Sequence, residues 1–577
     1  MIDQILETIH IERIDDLPLL LAQLQRMQVP SLLDHHFPTH GNWAGALTFG
    51  EVASVWLAYI VSTGDHRLNH LQDWAADRLE MLAACLGKPV RPEDFHDDRL
   101  ADMLDALSQT TVWAAFEQEH NALLVRVYDL PTTTVRVDTT TVSTFATWDG
   151  ADGGLFQFGH SKDHRPDLAQ IKVPIAVLDP LGMPVVTTVV AGNTADDPLY
   201  VPAIAQVQQS LQGSGRLFVG DCKMAALETR GYVASSGDFY LCPLSAVQIS
   251  AEALQSLLQP VWEGKQPLTV VYRLAANEAD EPEEVAQGFE YTVIQTATIA
   301  GDEVSWTERR LVVCSTAQAH RQIAALEQRL RRAMAELEGL NQRKQGKKVL
   351  TARALRAKAE QIVARYDVAT LIDVQVKTTK TTVCRRQYKD RPAGVQVLRQ
   401  VRVVVQVNAE ALGAAKRQCG WRVYGTNHPT LTLPQAVLSY RGQYGIEHGF
   451  ARLKGKPLGL SPMYLQTDDR VVGLVHLLSI GLRVLTLVEY VVRRNLAACG
   501  EKLRGVYAGQ PGRGTSRPSA ELLLEAFEGL DLRIVEAEGV RYRTVSRLTA
   551  VQKRILQLLE IPCHVYEGLA GCFSESG

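Results

Sequence analysis

Between residues 133 and 244 the hydrophobic period switches repeatedly, and that succession limits the possible folds more than any other feature of the chain. TTVRVDTTTVS (133–143) alternates and is rich in β-branched residues, which predicts a strand. IKVPIAVLD (171–179) and PVVTTVVAG (184–192), split by the turn Pro180-Leu181-Gly182, predict a hairpin. AQVQQSLQG (205–213) reads as a helix ending at Gly213, and RLFVGD (216–221) as a short apolar strand ending in an acid. ALETRGYVASSG then reads as a helix and turn, and DFYLCPL (238–244) as another strand.

Three antiparallel strands, a helix, a strand, a helix and a strand are the order of a ribonuclease H-like α/β core. The expected architecture is that core, interrupted by a large β-rich insertion with a helical hairpin and preceded by an N-terminal helical domain. Residues 1–131 form the helical domain, since LTFGEVASVWLAYIVSTGDHRLNHLQDWAADRLEML places apolar residues near helical spacing. It serves DNA binding or dimerisation; a helix-turn-helix fits the pattern, and the acidic balance of the region counts against it. The core's first part spans 132–244 and the insertion 245–418. In the insertion, Ile323, Leu326, Leu330, Ala333, Leu337 and Leu340 form a short heptad seam. TARALRAKAEQIVARY completes the hairpin, whose tip, NQRKQGKKVL, is basic, and VKTTKTTVCRRQYKDRPAGVQVLRQVRVVVQV (376–407) returns to strand pattern. The core's second part is expected at 419–498 and a helical tail, from VQKRILQLLE, at 499–577.

The formal charge of −4 conceals an asymmetry. Residues 1–150 hold 9 Lys/Arg and 22 Asp/Glu, a net of −13, whereas residues 310–410 hold 21 and 8, a net of +13. A basic segment of this size is the footprint of phosphate binding, because neutralised phosphates release counterions. Nine cysteines in 577 residues, none in a CxxC pair, argue against a disulfide scaffold or a zinc ribbon. The acidic N-terminus lacks the apolar region of a signal peptide. Val471–Val492, the most apolar stretch, carries His476, Arg483 and Glu489, which predicts a buried helix rather than a membrane span. A cytoplasmic, nucleoid-associated bacterial protein is expected.

Three acids carry the chemistry. Asp138 lies within the first core strand, Asp221 ends the fourth, and Glu447 sits in the helical YGIEHGFARLK. In the expected sheet the strands of Asp138 and Asp221 are neighbours, so their carboxylates converge. Three converging carboxylates bind hard divalent cations through oxygen. Two such ions about 3.5–4 Å apart activate a water or a 3′-hydroxyl and stabilise the leaving oxygen in phosphoryl transfer. Singly, each acid also fits an ordinary role: strand-edge hydrogen bonding, a helix cap, an exposed helical position. Between the first two strands His160, Lys162, His164 and Arg165 form a polar cluster suited to DNA phosphate. Asp163 and Asp167 are expected to pair with basic neighbours.

These phrases, VDTTTVS, GHSKDHRPDLAQIKV (159–173), VVAGNTADDPLYVPAI (189–204), VGDCKMA and YRGQYGIEHGFARLKGKPLGLSPMYLQ (440–466), resemble a DDE-type insertion-sequence transposase. The resemblance is to the insertion sequence 4 superfamily, closest to its 1634 group, and extends through Leu496. It implies that Asp138, Asp221 and Glu447 are the catalytic and metal-binding triad for two Mg²⁺ or Mn²⁺ ions. It implies binding of inverted-repeat ends and target DNA, cleavage, strand transfer, and a homodimer on DNA, with no membrane partner. The superfamily's Tyr-Arg-Glu-Lys signature maps to Tyr440, Glu447 and Lys454; its arginine position is Gln443 here, and Arg441 is the substitute. Tyr440, Arg441 and Lys454 are thus expected on DNA, and Arg385, Arg386, Lys389 and Arg391 of the insertion are expected to grip it. A metal-dependent nuclease without strand transfer and a non-catalytic transposase-derived DNA-binding protein are the alternatives. No GxGxxG, P-loop or nucleophile elbow points to a small-molecule enzyme.

Overall fold

The computed structural model describes residues 9–39, 41, 43–145, 153–273, 282–342, 350–387, 394–465, 467–537 and 540–574. It is a mixed α/β protein with two compact units. The first comprises Met1–Cys242, Ile294–Thr307 and Ser439–Gly577; the second comprises Pro243–Val293 and Glu308–Leu438.

The first unit is built on five strands: β1 (Thr134–Ser143), β2 (Gln170–Leu178), β3 (Met183–Thr187), β4 (Leu217–Val219) and β5 (Phe239–Pro243). Their order is β3-β2-β1-β4-β5. The first three are antiparallel, and β4 lies parallel to both β1 and β5. Parallel strands need crossovers, and α2 (Tyr200–Ser210) makes the one between β3 and β4. Four helices matter below: α1 (Thr110–Tyr128), α2, α3 (Tyr444–Lys454) and α4 (Asp468–Cys499).

Helix α4 is long and apolar enough to cross a membrane, yet 94% of its most apolar window is buried inside this protein. Its polar residues are matched by protein groups rather than water. Arg483 pairs with Glu117 of α1 at 2.6 Å and donates to the Pro184 carbonyl of β3 at 3.0 Å. His476 Nδ1 lies 2.8 Å from the Leu107 carbonyl, and its ring stacks on Trp113 at 4.3 Å. Gly473 permits the close crossing with the helix Asp97–Leu107, since a Cβ there would meet the Leu104 carbonyl oxygen at 2.1 Å.

The tail is not wholly helical. It contains the expected helix, Ala550–Leu559, but also strands Asp531–Ala537, Val540–Val545 and Gly571–Ser574. These join Ile9–Arg13 in a four-stranded antiparallel sheet. DLRIVEA and VRYRTV alternate with period two, and what stabilises them is a partner strand at the opposite end of the chain.

In the second unit, strand Trp421–Thr426 pairs antiparallel with Arg309–Cys314 of the strand Asp302–Ser315. Helices Thr316–Gly339 and Ala352–Tyr366 form a hairpin that buries Leu326, Leu330, Ala333 and Leu337 of the heptad seam. Most of its basic tip lies outside the described residues. The hairpin packs under a two-stranded ribbon, Ile372–Arg385 with Gly394–Val407, and Asn341 bonds both ways to the Val403 backbone at 2.8 Å.

Candidate active site

Strand register brings two of the acids together. Arg136 of β1 is opposite Val219 of β4 in the parallel pair. Two residues further along each chain stand Asp138, in the middle of β1, and Asp221, just beyond the end of β4. Burial pushes the Asp138 carboxyl up, Lys162 opposes that shift, and the Asp221 charge adds to it. Asp138 accepts from Lys162 Nζ at 3.0 Å and from the Thr139 amide at 2.7 Å. Lys162 also donates to the Thr139 carbonyl, so its ammonium sits at the strand edge beside the acid.

Asp221 accepts from Tyr200 Oη at 2.6 Å and from the Lys223 amide at 2.8 Å. Tyr200 is a residue that sequence reasoning missed. Its phenol is buried, and burial together with the Asp221 and Asp138 charges holds its pKa well above the usual value, so it remains a donor. The available signal was its place inside the motif at 189–204. Gly220 allows the approach: a Cβ there would lie 2.9 Å from Met224 Cβ and 3.1 Å from Tyr200 Cε1. The loop before α2 is fixed by buried Lys172, opposite Thr141, which donates to Asp196 and the Thr194 carbonyl, both at 2.6 Å.

Glu447 is exposed in the first turn of α3, which packs against β1. The carboxylates of Asp138, Asp221 and Glu447 do not all lie within 4.8 Å of one another. Three contacts anchor the elements that carry them. Buried Arg136 forms a forked pair with Asp179 at 2.8 and 2.9 Å and donates to the Ser439 carbonyl, tying β1 to the segment entering α3. Lys454 pairs with Asp163 at 2.7 Å beside the Thr141 carbonyl. Arg452, on the buried face of α3, pairs with Glu489 of α4 and with Glu521.

The segment from Leu433 to Lys454 forms two helices, Leu433–Arg441 and α3, broken at Gly442-Gln443. A Cβ on Gly442 would meet Arg136 Nη2 at 2.5 Å, so the break accommodates that anchor. Tyr440 and Arg441, both half-buried, therefore share no helix with Glu447. His160 and His164 are exposed, the latter with φ +58°. Arg165 pairs with Asp167 at 2.7 Å and lies 5.7 Å from the Phe145 ring centre. Arg385 and Arg386 are exposed in the second unit. Lys389 and Arg391 lie outside the described residues.

The Asp138–Asp221 pair suits a hard divalent cation. Its donors are oxygens, both acids are half-buried, and their mutual repulsion is relieved by positive charge between them. Among the described residues, His35, His36 and Glu119 form one separate metal-sized cluster and His96, Asp97 and Asp98 another.

The α3 anchor carries a pH prediction. Burial opposes ionisation of Glu521, but Arg452 outweighs it and holds the carboxyl at about 2, below its unfolded value of 4.5. A lowered folded pKa means the stabilisation is complete above pH 4.5 and is lost as the pH falls towards 2. Glu521→Gln is expected to flatten that part of the stability profile in acid-unfolding curves, while an unaltered profile excludes this assignment.

Comparison with protein families matches residues 131–483 to the transposase DDE domain. Residues 9–118 match a domain of unknown function, DUF4277. Among solved structures, the chain is similar to a cryo-EM structure of a piggyBac transposase synaptic complex with hairpin DNA. The identity is 9% over 88% of this chain and 76% of that one, with a TM-score of 0.34. No curated protein matches.

Proposed function

The chain belongs to the transposase DDE domain family, and from that premise we propose that it binds the inverted-repeat ends of an insertion sequence, cuts them and joins them to target DNA. The family generally uses divalent metal ions, and its partner class is DNA. The reading is carried by the in-register parallel pairing of β1 with β4, which sets Asp138 level with Asp221 where β4 ends. The strand order β3-β2-β1-β4-β5 supports a ribonuclease H-like core. The quoted motifs support membership of the insertion sequence 4 superfamily, near its 1634 group.

Asp138, Asp221 and Glu447 are the acids that would hold two Mg²⁺ or Mn²⁺ ions. When bound, the ions supply activation of the attacking water or 3′-hydroxyl and stabilise the leaving oxygen. Tyr200 orients the Asp221 carboxylate by its short hydrogen bond. Glu447 would complete the set from the first turn of α3, which Arg452 ties to α4 and whose entering segment Arg136 holds. Lys454, Arg165 and the exposed histidines face DNA phosphate. Two ends must be paired, so the working form is a homodimer on DNA.

The test is a strand-transfer assay with pre-cleaved duplex ends, taken from the base pairs bordering the gene's element, in Mg²⁺ and in EDTA. Metal-dependent joining to a target plasmid is expected. A nicked but unjoined target favours a nuclease, and binding without cleavage favours a non-catalytic protein.

A second measurement addresses Lys162, whose ammonium pairs with Asp138 at 3.0 Å. Lys162→Met is expected to raise Mn²⁺ affinity roughly tenfold by electron paramagnetic resonance titration, because a competing charge is gone. The gain should vanish when Asp138→Asn is added. Unchanged affinity rules out the competition.

A further inference from the structure

The ribbon of the second unit is two structures in one. Its first half is packed: Ile372, Val374 and Val376 on one strand, with Val401, Val403, Val405 and Val407 on the other, lie on the helical hairpin's apolar cluster. Beyond Val376 that support ends. Every side chain from 377 to 385 is exposed, on both faces of the strand. Opposite them Val395 is 68% and Val397 54% exposed. The register continues unbroken to Arg385 and Gly394, so about 30 Å of paired ribbon stands without a covering layer. A bare two-stranded ribbon is only marginally stable in water.

Its charges make matters worse. Lys377 stands directly opposite Arg402, and Lys380 directly opposite Arg399. Like charges facing each other across two strands repel. Residues 377–387 and 394–402 together hold six basic side chains, adding Arg385 and Arg386, and no acidic one. Three of this unit's carboxylates are engaged elsewhere, in the pairs Arg329–Asp367, Arg365–Glu336 and Lys416–Glu327. Among the described residues none neutralises the six. A fold that keeps two self-repelling pairs on an uncovered ribbon has its matching negative charge on a partner.

We propose that the uncovered half of this ribbon docks in the major groove of double-helical DNA, with Lys377, Lys380, Arg385, Arg386, Arg399 and Arg402 against phosphates. The major groove, about 12 Å wide, admits a two-stranded ribbon. Phosphates line both of its walls, which suits a ribbon charged on both faces. The inference rests on the DNA-transposase reading and specifies the element, groove and residues by which this chain holds a duplex.

The experiment uses the full chain and a 30-base-pair duplex of arbitrary sequence, in EDTA, by fluorescence anisotropy across a salt series. The variant Lys377→Gln/Lys380→Gln/Arg399→Gln/Arg402→Gln is expected to bind at least tenfold more weakly. Its slope of log affinity against log salt should fall by about 3 to 4, as four phosphate contacts are lost. Its thermal midpoint without DNA should be unchanged or higher, since two repulsive pairs are gone; a purely structural role would lower it. Methyl green, a major-groove ligand, should compete and netropsin should not. Should the fourfold variant fail to fold, Lys377→Gln/Arg399→Gln carries the test with half the change in slope. Unchanged affinity and slope, or displacement by netropsin alone, overturn the inference. Failure of the unaltered chain to bind any duplex overturns the transposase reading as well.

Discussion

Asp138→Asn is expected to lose DNA cleavage and joining by about 10³-fold or more, while binding duplex DNA as the unaltered chain does. The substitution is nearly isosteric. The Thr139 amide keeps an oxygen to bond, and β1 remains paired with β2 and β4. What disappears is one negative charge at the point where Asp138 and Asp221 stand side by side. Without it, divalent cations are bound weakly and the leaving oxygen is poorly stabilised. Gel assays of end cleavage and joining, run beside anisotropy with the same duplex, separate the two effects. Activity within tenfold of wild type would falsify the assignment. Tyr200→Phe should lie between the two, since it removes a donor to Asp221 and no charge.

The second large effect concerns stability. Arg483→Met is expected to cost about 3–5 kcal/mol, because it leaves Glu117 buried without its partner. Burial already pushes the Glu117 carboxyl up to about 7. Removing the guanidinium raises it further, so the side chain is left protonated, and the Pro184 carbonyl loses its donor. Glu117→Leu combined with Arg483→Met should recover most of the loss, because apolar residues of similar volume can replace a buried pair at little cost. Urea unfolding of the two variants decides it. Equal destabilisation of both would mean that packing volume, not the unpaired charge, sets the cost.

Much of this protein was legible in local pattern. The alternating runs at 133–143 and 171–179 became β1 and β2, and RLFVGD became β4 with Asp221 just beyond its end. The heptad seam at 323–340 became the buried face of a hairpin helix. His476, Arg483 and Glu489 marked α4 as a core helix because a charge in lipid is costly, and the fold gives two of them buried partners on other helices. Periodicity reports which face of an element is dry, and residue type reports what it would cost elsewhere.

Other features were beyond that reach. That Lys162 stands against Asp138, that Tyr200 bonds Asp221 and that the tail adds strands to its helices were not written in local pattern. Each depends on a partner far along the chain, and neither hydrophobic period nor charge count carries that partner's address. The amino-acid order alone determined the chemical inventory: acids at strand margins, a basic insertion, a helix that must be buried. Tertiary structure alone decided the meetings: the register that aligns Asp138 with Asp221, the ammonium between strand and loop, and the lysine–arginine pairs opposed across a bare ribbon. Local preferences act over a few residues, whereas strand register and charge pairing are settled only when distant segments compete for the same space.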